Sequence, residues 1–441
     1  MAKTDNLKDF LTDVANAIRE KSGESGLINP QDFSARIAAI QTGGGGGAVA
    51  VSKKAVNFRD YDGTILHSYT KDEFLALSAM PGLPTREGLT CQGWNCSFED
   101  AKAYVTDNGR LDVGATYITD DGKTRLYIRI AAEGRMDVPL YFSQTSGNGV
   151  VIDWGDGSEV QRFSGSGDKN TTHKYQLAGD YCITLSVVAG TLGLGHSTSE
   201  YCVLGSTADA SAVYCNMLQK VEIGEGVTRI DQYAFSKCYS IASIVIPQNV
   251  SDIGANAFYY CYSLASVVIP QNVKSFSNNT FRSCYSLTSV VFPQSVSGLN
   301  SNLFATCYSL ASVVIPQGVT GVSTNLFDYC YSLASVVIPQ SVTTISPNAF
   351  QSCYSLASIR FPQGLTNIYS NAFKKCYSMG LYDFSQLTGV PVLDSYAFTN
   401  IPSECKIIGP DALYDEWIAA TNWSTYASYI IKKSDWDAQN A

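Results

Sequence analysis

The sequence predicts a multidomain, mainly β chain whose C-terminal half is a solenoid with a 23-residue period. Three observations carry that expectation. The tripeptide Cys-Tyr-Ser begins at Cys238, Cys261, Cys284, Cys307, Cys330, Cys353 and Cys376, always at the same interval. A Phe keeps the beat three residues earlier, from Phe235 to Phe373, and a Pro marks it from Pro247 to Pro362. Upstream, short apolar runs separated by Asp, Asn and Gly turns replace the repeat. A constant period of this length means coils that bury their apolar faces only against neighbouring coils.

Composition narrows the function classes. At 441 residues the chain is too long for one ordinary core. A net charge of −9 argues against nucleic acid as a main partner. No run of about 18 apolar residues is present, so no membrane insertion is expected. Met1–Lys21 is charged and amphipathic and lacks the apolar core of a secretory leader. Export by the usual secretory route is therefore not expected, unless a leader has been removed.

Residues 1–42 read as a helical hairpin. Leu7, Phe10, Leu11, Val14, Ala17 and Ile18 recur at helical spacing. After a loop at 22–27, Asn29 is placed to cap a second helix with Pro30 at its first position. Ile28 and Phe33 form a hydrophobic staple, and Phe33, Ile37 and Ile40 share the apolar face. Two short helices cannot make a core, so Leu7, Phe10, Leu11, Val14, Ile18, Phe33 and Ile37 are candidate anchoring residues for a partner or for copies of the chain. Gly43–Gly47 is a flexible joint.

Residues 48–135 carry β signals, turn clusters at Asp60–Gly63, Met80–Gly82 and Asp120–Gly122, and a helix over 98–106. Pro84-Thr85-Arg86-Glu87-Gly88 followed by Gly93-Trp94 resembles the repeat shared by listerial internalins and Bacteroides surface proteins, which implies a small β-grasp-like module. In residues 136–190, strands are expected at 138–142, 150–154 and 181–188. Asp153-Trp154-Gly155-Asp156-Gly157, His173-Lys174-Tyr175 and Gly179-Asp180-Tyr181 resemble the PKD-type immunoglobulin-like sandwich. That resemblance implies a binding or spacer module. A connector at 191–214 leads to the solenoid, residues 215–400. One unit runs Cys261-Tyr262-Ser263-Leu264-Ala265-Ser266-Val267-Val268-Ile269-Pro270, then Val273, Phe276 and Phe281. It resembles the BspA-like leucine-rich repeat of bacterial surface proteins. Residues 401–441 are expected to cap the open solenoid edge with a helix over 411–421.

Strand alternation points Leu264, Val267 and Ile269 inward and Ala265 and Val268 outward. The outward places are apolar coil after coil: Val245, Val268, Val291, Val314 and Val337, ending at Arg360. Such a stripe exceeds what a soluble monomer exposes. It is expected to pack against another copy or another domain, and the five valines are the candidate oligomer face; drift in β-propensity is the bland alternative. Tyr239, Tyr262, Tyr285, Tyr308, Tyr331, Tyr354 and Tyr377 form a second column. Tyrosine flanked by serine makes an adaptable contact surface, and stacked aromatics suit sugar faces, yet an identical column also stabilises a stack by itself. Both readings stand. Variation concentrates at 251–256, 274–279, 298–302 and 321–325, as a binding edge on a constant scaffold would show.

Chemistry-bearing motifs are few. The thirteen cysteines lack C-x-x-C spacing, and Cys91 and Cys96 are too loosely spaced for a metal site. The cysteines in register, Cys215 included, read as a buried thiol ladder; Cys182, Cys202 and Cys405 have no assigned partner. Asp60-Tyr61-Asp62-Gly63-Thr64 mimics the nucleophile loop of haloacid-dehalogenase-like phosphatases, but no βαβ pattern follows it, and a turn is the better reading. Asp153 and Asp156 could ligate Ca²⁺, though turn stabilisation fits their spacing better. Of three histidines, His173 belongs to the sandwich motif, and His67 and His196 have no triad-like neighbours. No catalytic, cofactor or metal site is assigned, and an enzyme is not expected.

Residues 7–33 resemble the leading segment of structural proteins of tailed phages and prophages of gut bacteria. The Leu413-Tyr414-Asp415-Glu416-Trp417…Asn422-Trp423 ending is similar to such chains too. The resemblance implies a virion surface fibre, on head or tail, anchored through residues 1–42 to capsid or tail proteins. The rest would project toward host-surface or mucus glycans or proteins, as a dimer or trimer, weak contacts gaining from copy number. Cytosolic assembly and release by lysis account for the missing leader and the free thiols together. A bacterial cell-surface adhesin exported by another route is the alternative, and a phosphatase a distant third.

Overall fold

Asp60, Asn95, Gly109 and Gly122 punctuate the first described module into a β-hairpin and a strand–helix–strand pair that share a parallel seam. The computed structural model describes residues 55–132, 135–145, 149–197, 201–206 and 213–440. The expected helical hairpin, its anchoring residues and the glycine joint lie outside them. Strands β1 (Val56–Arg59) and β2 (Ile65–Tyr69) pair antiparallel around a turn in which Gly63 adopts φ +89°. Helix α1 (Lys71–Leu75) starts from a Thr70–Glu73 capping box. After β3 (Leu89–Trp94), Ser97 caps α2 (Phe98–Asn108), which Gly109 ends at φ +76°. Strand β4 (Leu111–Thr119) pairs parallel with β1 and antiparallel with β3, giving the order β2-β1-β4-β3. Phe58, Phe74, Trp94, Tyr104 and Val105 form its core. All of β4 but Ile118 is buried, Asp112 and Thr116 included, so both of its faces are covered.

The sandwich has two antiparallel layers. Strand β5 (Thr124–Ile130) pairs with β10 (Gly179–Val187), which pairs with β7 (Val150–Asp153), flanked by β8 (Gln161–Phe163). Opposite lie β6 (Asp137–Gln144), β9 (Gly167–Lys174) and β11 (Leu192–Leu194). Strand β5 thus belongs to the sandwich, not to the module expected to end at 135. Its alternating Leu126, Ile128 and Ile130 announce a half-buried strand but not which sheet it joins.

A short hairpin, β12 (Tyr201–Cys202) with β13 (Gly205–Ser206), precedes the first coil. Both sandwich sheets then run on into the solenoid. Strand β14 (Leu218–Glu222) pairs antiparallel with β5, and β15 (Val227–Ile230) pairs parallel with β11. Strands β16 (Ile244–Val245) and β17 (Asp252–Ile253) add the next coil to each. The sandwich therefore closes the N-terminal solenoid edge, which would otherwise present unpaired backbone. One apolar cluster extends from Leu126 to Ile430.

Each coil is explained by its repeated residues. Ser-Val-Val segments stack parallel and in register, as Ser266↔Ser289 and Ser312↔Ser335 show. Proline then ends the ladder, having no N–H, and its carbonyl accepts from the residue three on: Val273 N to Pro270 O is 3.2 Å. The Phe column stacks ring on ring at 5.2–5.8 Å from Phe235 to Phe373. The thiol ladder has a reason beyond size. Cys261, Cys284, Cys307 and Cys330 each donate Sγ–H to the carbonyl of the Phe one coil back, at 3.1 Å. Burial pushes these thiols up, away from reactivity. Asn256, Asn279, Asn302, Asn325, Asn348 and Asn371 take φ between 55° and 60°, a conformation Asn tolerates. At the far end, residues 406–409 and 430–432 extend the sheet in parallel. A 3-10 turn at Asp411–Leu413 leads into α3 (Tyr414–Ala419), and α4 (Lys433–Asn440) follows the last strand. Trp417 and Trp423 cover Phe384 at 5.3 and 5.7 Å. The cap was legible as a helix; its added strand was not.

Candidate ligand-binding face

The outward valine stripe is occupied within the chain. Val245, Val268, Val291 and Val314 are each less than one-tenth exposed, and Val337 is half-buried. Val245, Val314 and Val337 join the core of the β1–β4 module, and Gly114 of β4 sits over Val268. Polar contacts fasten the same face. Asn95 donates to the carbonyls of Ile269 and Val291 at 3.0 and 3.3 Å and accepts from Gly114 N–H at 2.8 Å. Tyr104 O–H donates to Ile315 O at 2.7 Å, and Arg110 reaches Ser312 and Ser335 at 3.2 Å. The expectation that these valines form an oligomer face is corrected: the covering domain is the chain's own. Arg360, where the stripe ends, is exposed and pairs with Asp383 at 2.8 Å. The docking residues Asn95, Tyr104 and Arg110 carried no sequence signal of their own; only the stripe pointed to a cover.

The tyrosine column is continuous. Tyr239, Tyr262, Tyr285, Tyr308, Tyr331 and Tyr354 stack at 4.5–4.9 Å within 15° of parallel, and Tyr377 follows at 5.1 Å. Because the rings face one another, interior members present edges and hydroxyls, not faces. Sugar-face stacking on the interior of the column is thereby blocked. Two further tyrosines stand across it: Tyr260 against Tyr262 at 74°, and Tyr329 against Tyr331 at 85°.

Beside Tyr329, burial raises the Asp328 carboxyl to about 6, against hydrogen bonding from Gln351 at 3.0 Å and the Arg282 charge. A raised carboxyl makes the folded state bind protons that the unfolded chain has released. Its stabilising contribution is complete below the unfolded value of about 4 and is lost as pH rises through about 6. Asp328→Asn should therefore raise stability at pH 7 and flatten the slope between pH about 4 and 6. Urea midpoints at pH about 4, about 6 and 7 check it; an unchanged slope would refute the assignment.

The remaining motif residues are used structurally. Asp60 is fully buried and accepts from Tyr117 O–H at 2.6 Å, from Tyr61 N–H at 2.9 Å and from Arg86. Asp62 is exposed and accepts Thr64 N–H at 2.9 Å. In the sandwich, His173 stacks on Trp154 at 4.8 Å and pairs with Asp156 at 2.7 Å. Tyr175 O–H donates to Trp154 O at 2.8 Å. Burial would raise the Asp156 carboxyl, but hydrogen bonds from Ser158 and His173 hold it at about 2. Asp153 and Asp156 each accept a turn N–H, at 2.9 and 3.0 Å. Cys202, left unassigned from sequence, lies against Cys215, Sγ to Sγ 2.6 Å. Among the described residues no cluster of three His, Cys, Asp or Glu could hold a metal ion, and no helix is long and apolar enough to cross a membrane.

Known proteins similar to this chain are leucine-rich repeat proteins. No curated protein matches the chain. Among solved structures, a leucine-rich repeat protein from Eubacterium ventriosum is 29% identical over 35% of this chain and 41% of its own, with a TM-score of 0.33. One from Bacteroides ovatus is 22% identical over 44% and 56%, TM-score 0.37. A leucine rich cell surface protein from Faecalibacterium prausnitzii is 20% identical over 50% and 84%, TM-score 0.20. The chain thus spans about half the length of the first two, and scores this low carry no weight for how the modules are arranged. The family model for the BspA type leucine rich repeat region matches residues 208–334 and 320–422, in six copies. Residues 208–422 are a BspA-type leucine-rich repeat region.

Proposed function

We propose that this chain is an adhesive surface protein whose BspA-type repeats present a ligand-binding face, with the sandwich and the β1–β4 module as its rigid support. One observation carries the reading. A column of tyrosines at constant spacing borders register positions whose residues change from coil to coil, on a backbone whose hydrogen bonds run from coil to coil. An adaptable surface on a stiff frame binds at low entropic cost. The setting favoured is the bacterial cell surface, because the family resemblance spans the whole repeat region. A virion fibre is the second reading, supported by the likeness of residues 7–33 to phage structural proteins. Partners in either setting are host-surface or mucus glycans or proteins.

Immunogold electron microscopy with an antibody to the repeats tests this on intact cells and lysates of the source culture. Gold on cell envelopes is expected. Gold on phage particles with bare envelopes would replace the setting by the virion. Gold confined to the cell interior, with purified chain on beads failing to adhere to mucin or host cells, would overturn the adhesive reading.

A further inference from the structure

The residue before each repeated Cys has left-handed backbone and no fixed identity: Lys237, Tyr260, Ser283, Thr306, Tyr329, Ser352 and Lys375, with φ between 59° and 63°. Left-handed backbone is uncommon outside Gly and Asn and is an outlier for the β-branched Thr306. The side chain at this register varies in size and exposure: Tyr329 is exposed, whereas Ser283 and Ser352 are buried. Over four successive coils the order is Tyr260, Ser283, Thr306, Tyr329. The two tyrosines stand about three sheet spacings apart, roughly 14 Å, with small residues between them. Ser283 and Thr306 are joined Oγ to Oγ1 at 2.7 Å.

The column tyrosines have their faces covered by one another, so the crossed rings can meet them only face to edge. Tyr329 lays one face on the edge of Tyr331 and remains 36% exposed. At the other end Tyr260 meets Tyr262 at 74° and packs against Tyr259, ring centroids 4.0 Å apart, so the step there is the Tyr259–Tyr260 ring pair, held together by Tyr260. Between these two aromatic steps Ser283 is buried and the partly exposed Thr306 donates its hydroxyl to Ala305 O at 2.6 Å, and Tyr285 and Tyr308 of the column belong to the same two coils. The neighbouring register adds Arg282 and Asp328, with the small Ala305 between. The Arg282 guanidinium lies 5.8 Å from the Tyr259 ring, and its buried Nε has no hydrogen-bond partner.

We infer that this surface, from Tyr259 to Tyr329, binds a hydroxyl-rich oligosaccharide. The inference rests on the adhesive reading and names its ligand class. A sugar offers apolar C–H faces to aromatic steps and hydroxyls to planar polar groups, and the rings here stand beside Arg282 and Asp328. A peptide held by strand addition is disfavoured. The N–H groups of Tyr260, Ser283, Thr306 and Tyr329 are already donated to the next coil at 2.7–3.0 Å, so this register has no free backbone donor for an added strand.

The test starts with the full chain on an array of immobilised neutral, mucin-type, sialylated and bacterial wall glycans. The strongest hit is then titrated calorimetrically. Tyr260→Asn and Tyr329→Asn remove a ring while suiting the left-handed backbone, as Asn256, Asn279, Asn302, Asn325, Asn348 and Asn371 do at another register. Each is expected to weaken binding about tenfold, the loss of one aromatic contact. Tyr329→Phe should keep the affinity, and Tyr369→Ala, an exposed tyrosine of another register, should be neutral. Unchanged binding by both Asn variants, with normal melting, would overturn the site. If the array stays empty while chain-coated beads still adhere to cells, the sugar class falls and the adhesive reading survives. If neither binds, both fall.

Discussion

Phe304→Ala is expected to destabilise the repeat region by about 3–5 kcal/mol, the usual cost of deleting a large buried aromatic. Phe304 is fully buried, stacked between Phe281 at 5.8 Å and Phe327 at 5.7 Å, with Phe292 edge-on at 6.0 Å. The side chains above and below are held by their own stacking partners, so the cavity cannot close. Each coil is stabilised only by its neighbours, so one deletion weakens two interfaces at once. Hydrogen exchange should show lost protection on both sides of residue 304 while the sandwich keeps its own. A urea midpoint corresponding to less than about 1 kcal/mol would mean that the column is not what holds the coils.

The second large effect is expected at Gly114. A Cβ there would lie 2.4 Å from Val268 Cγ1 and 2.7 Å from Cγ2, below any tolerated contact. Glycine is required for closeness, not for backbone shape, because the module lies directly on the solenoid sheet. Gly114→Val should force the β1–β4 module off the valine stripe, with an overpacking cost of about 1–3 kcal/mol before it lets go. The uncovered stripe would then self-associate. Sedimentation should show dimers or larger species, and protease should cut the Asp120–Lys123 turn faster than in the parent. Gly114→Ala combined with Val268→Ala should restore monomeric behaviour, because the second change removes the methyls the first one meets. Full stability and unchanged sedimentation of Gly114→Val would show that the module is not held on this face.

These expectations divide along a physical line. The solenoid, its Phe and Cys columns, its inward Leu264, Val267 and Ile269, and its cap were legible because a coil's contacts repeat at one interval, so local periodicity and tertiary packing coincide. The thiol ladder was legible as burial; its donation to the Phe carbonyl one coil back needed coordinates. The tyrosine column was legible too, but ring orientation was not. Stacking hides the faces that a sugar would use and shifts the candidate site to Tyr260 and Tyr329, whose positions look like scatter in the repeat.

What the amino-acid pattern alone determined is that the solenoid exists, which residues fill it, and that one outer face of it must be covered. Tertiary structure decided what covers it. An apolar stripe pays the same hydration penalty whether the cover is a second copy or a module 150 residues upstream, so hydrophobic pattern cannot distinguish them. The answer lies in Gly114, Asn95, Tyr104 and Arg110, whose fit to Val268, Ile269, Ile315 and Ser312 is a matter of distance and direction. The same holds for β5, whose alternation marks one buried face while only its pairing with β10 and β14 assigns it to the sandwich and joins that sandwich to the first coil.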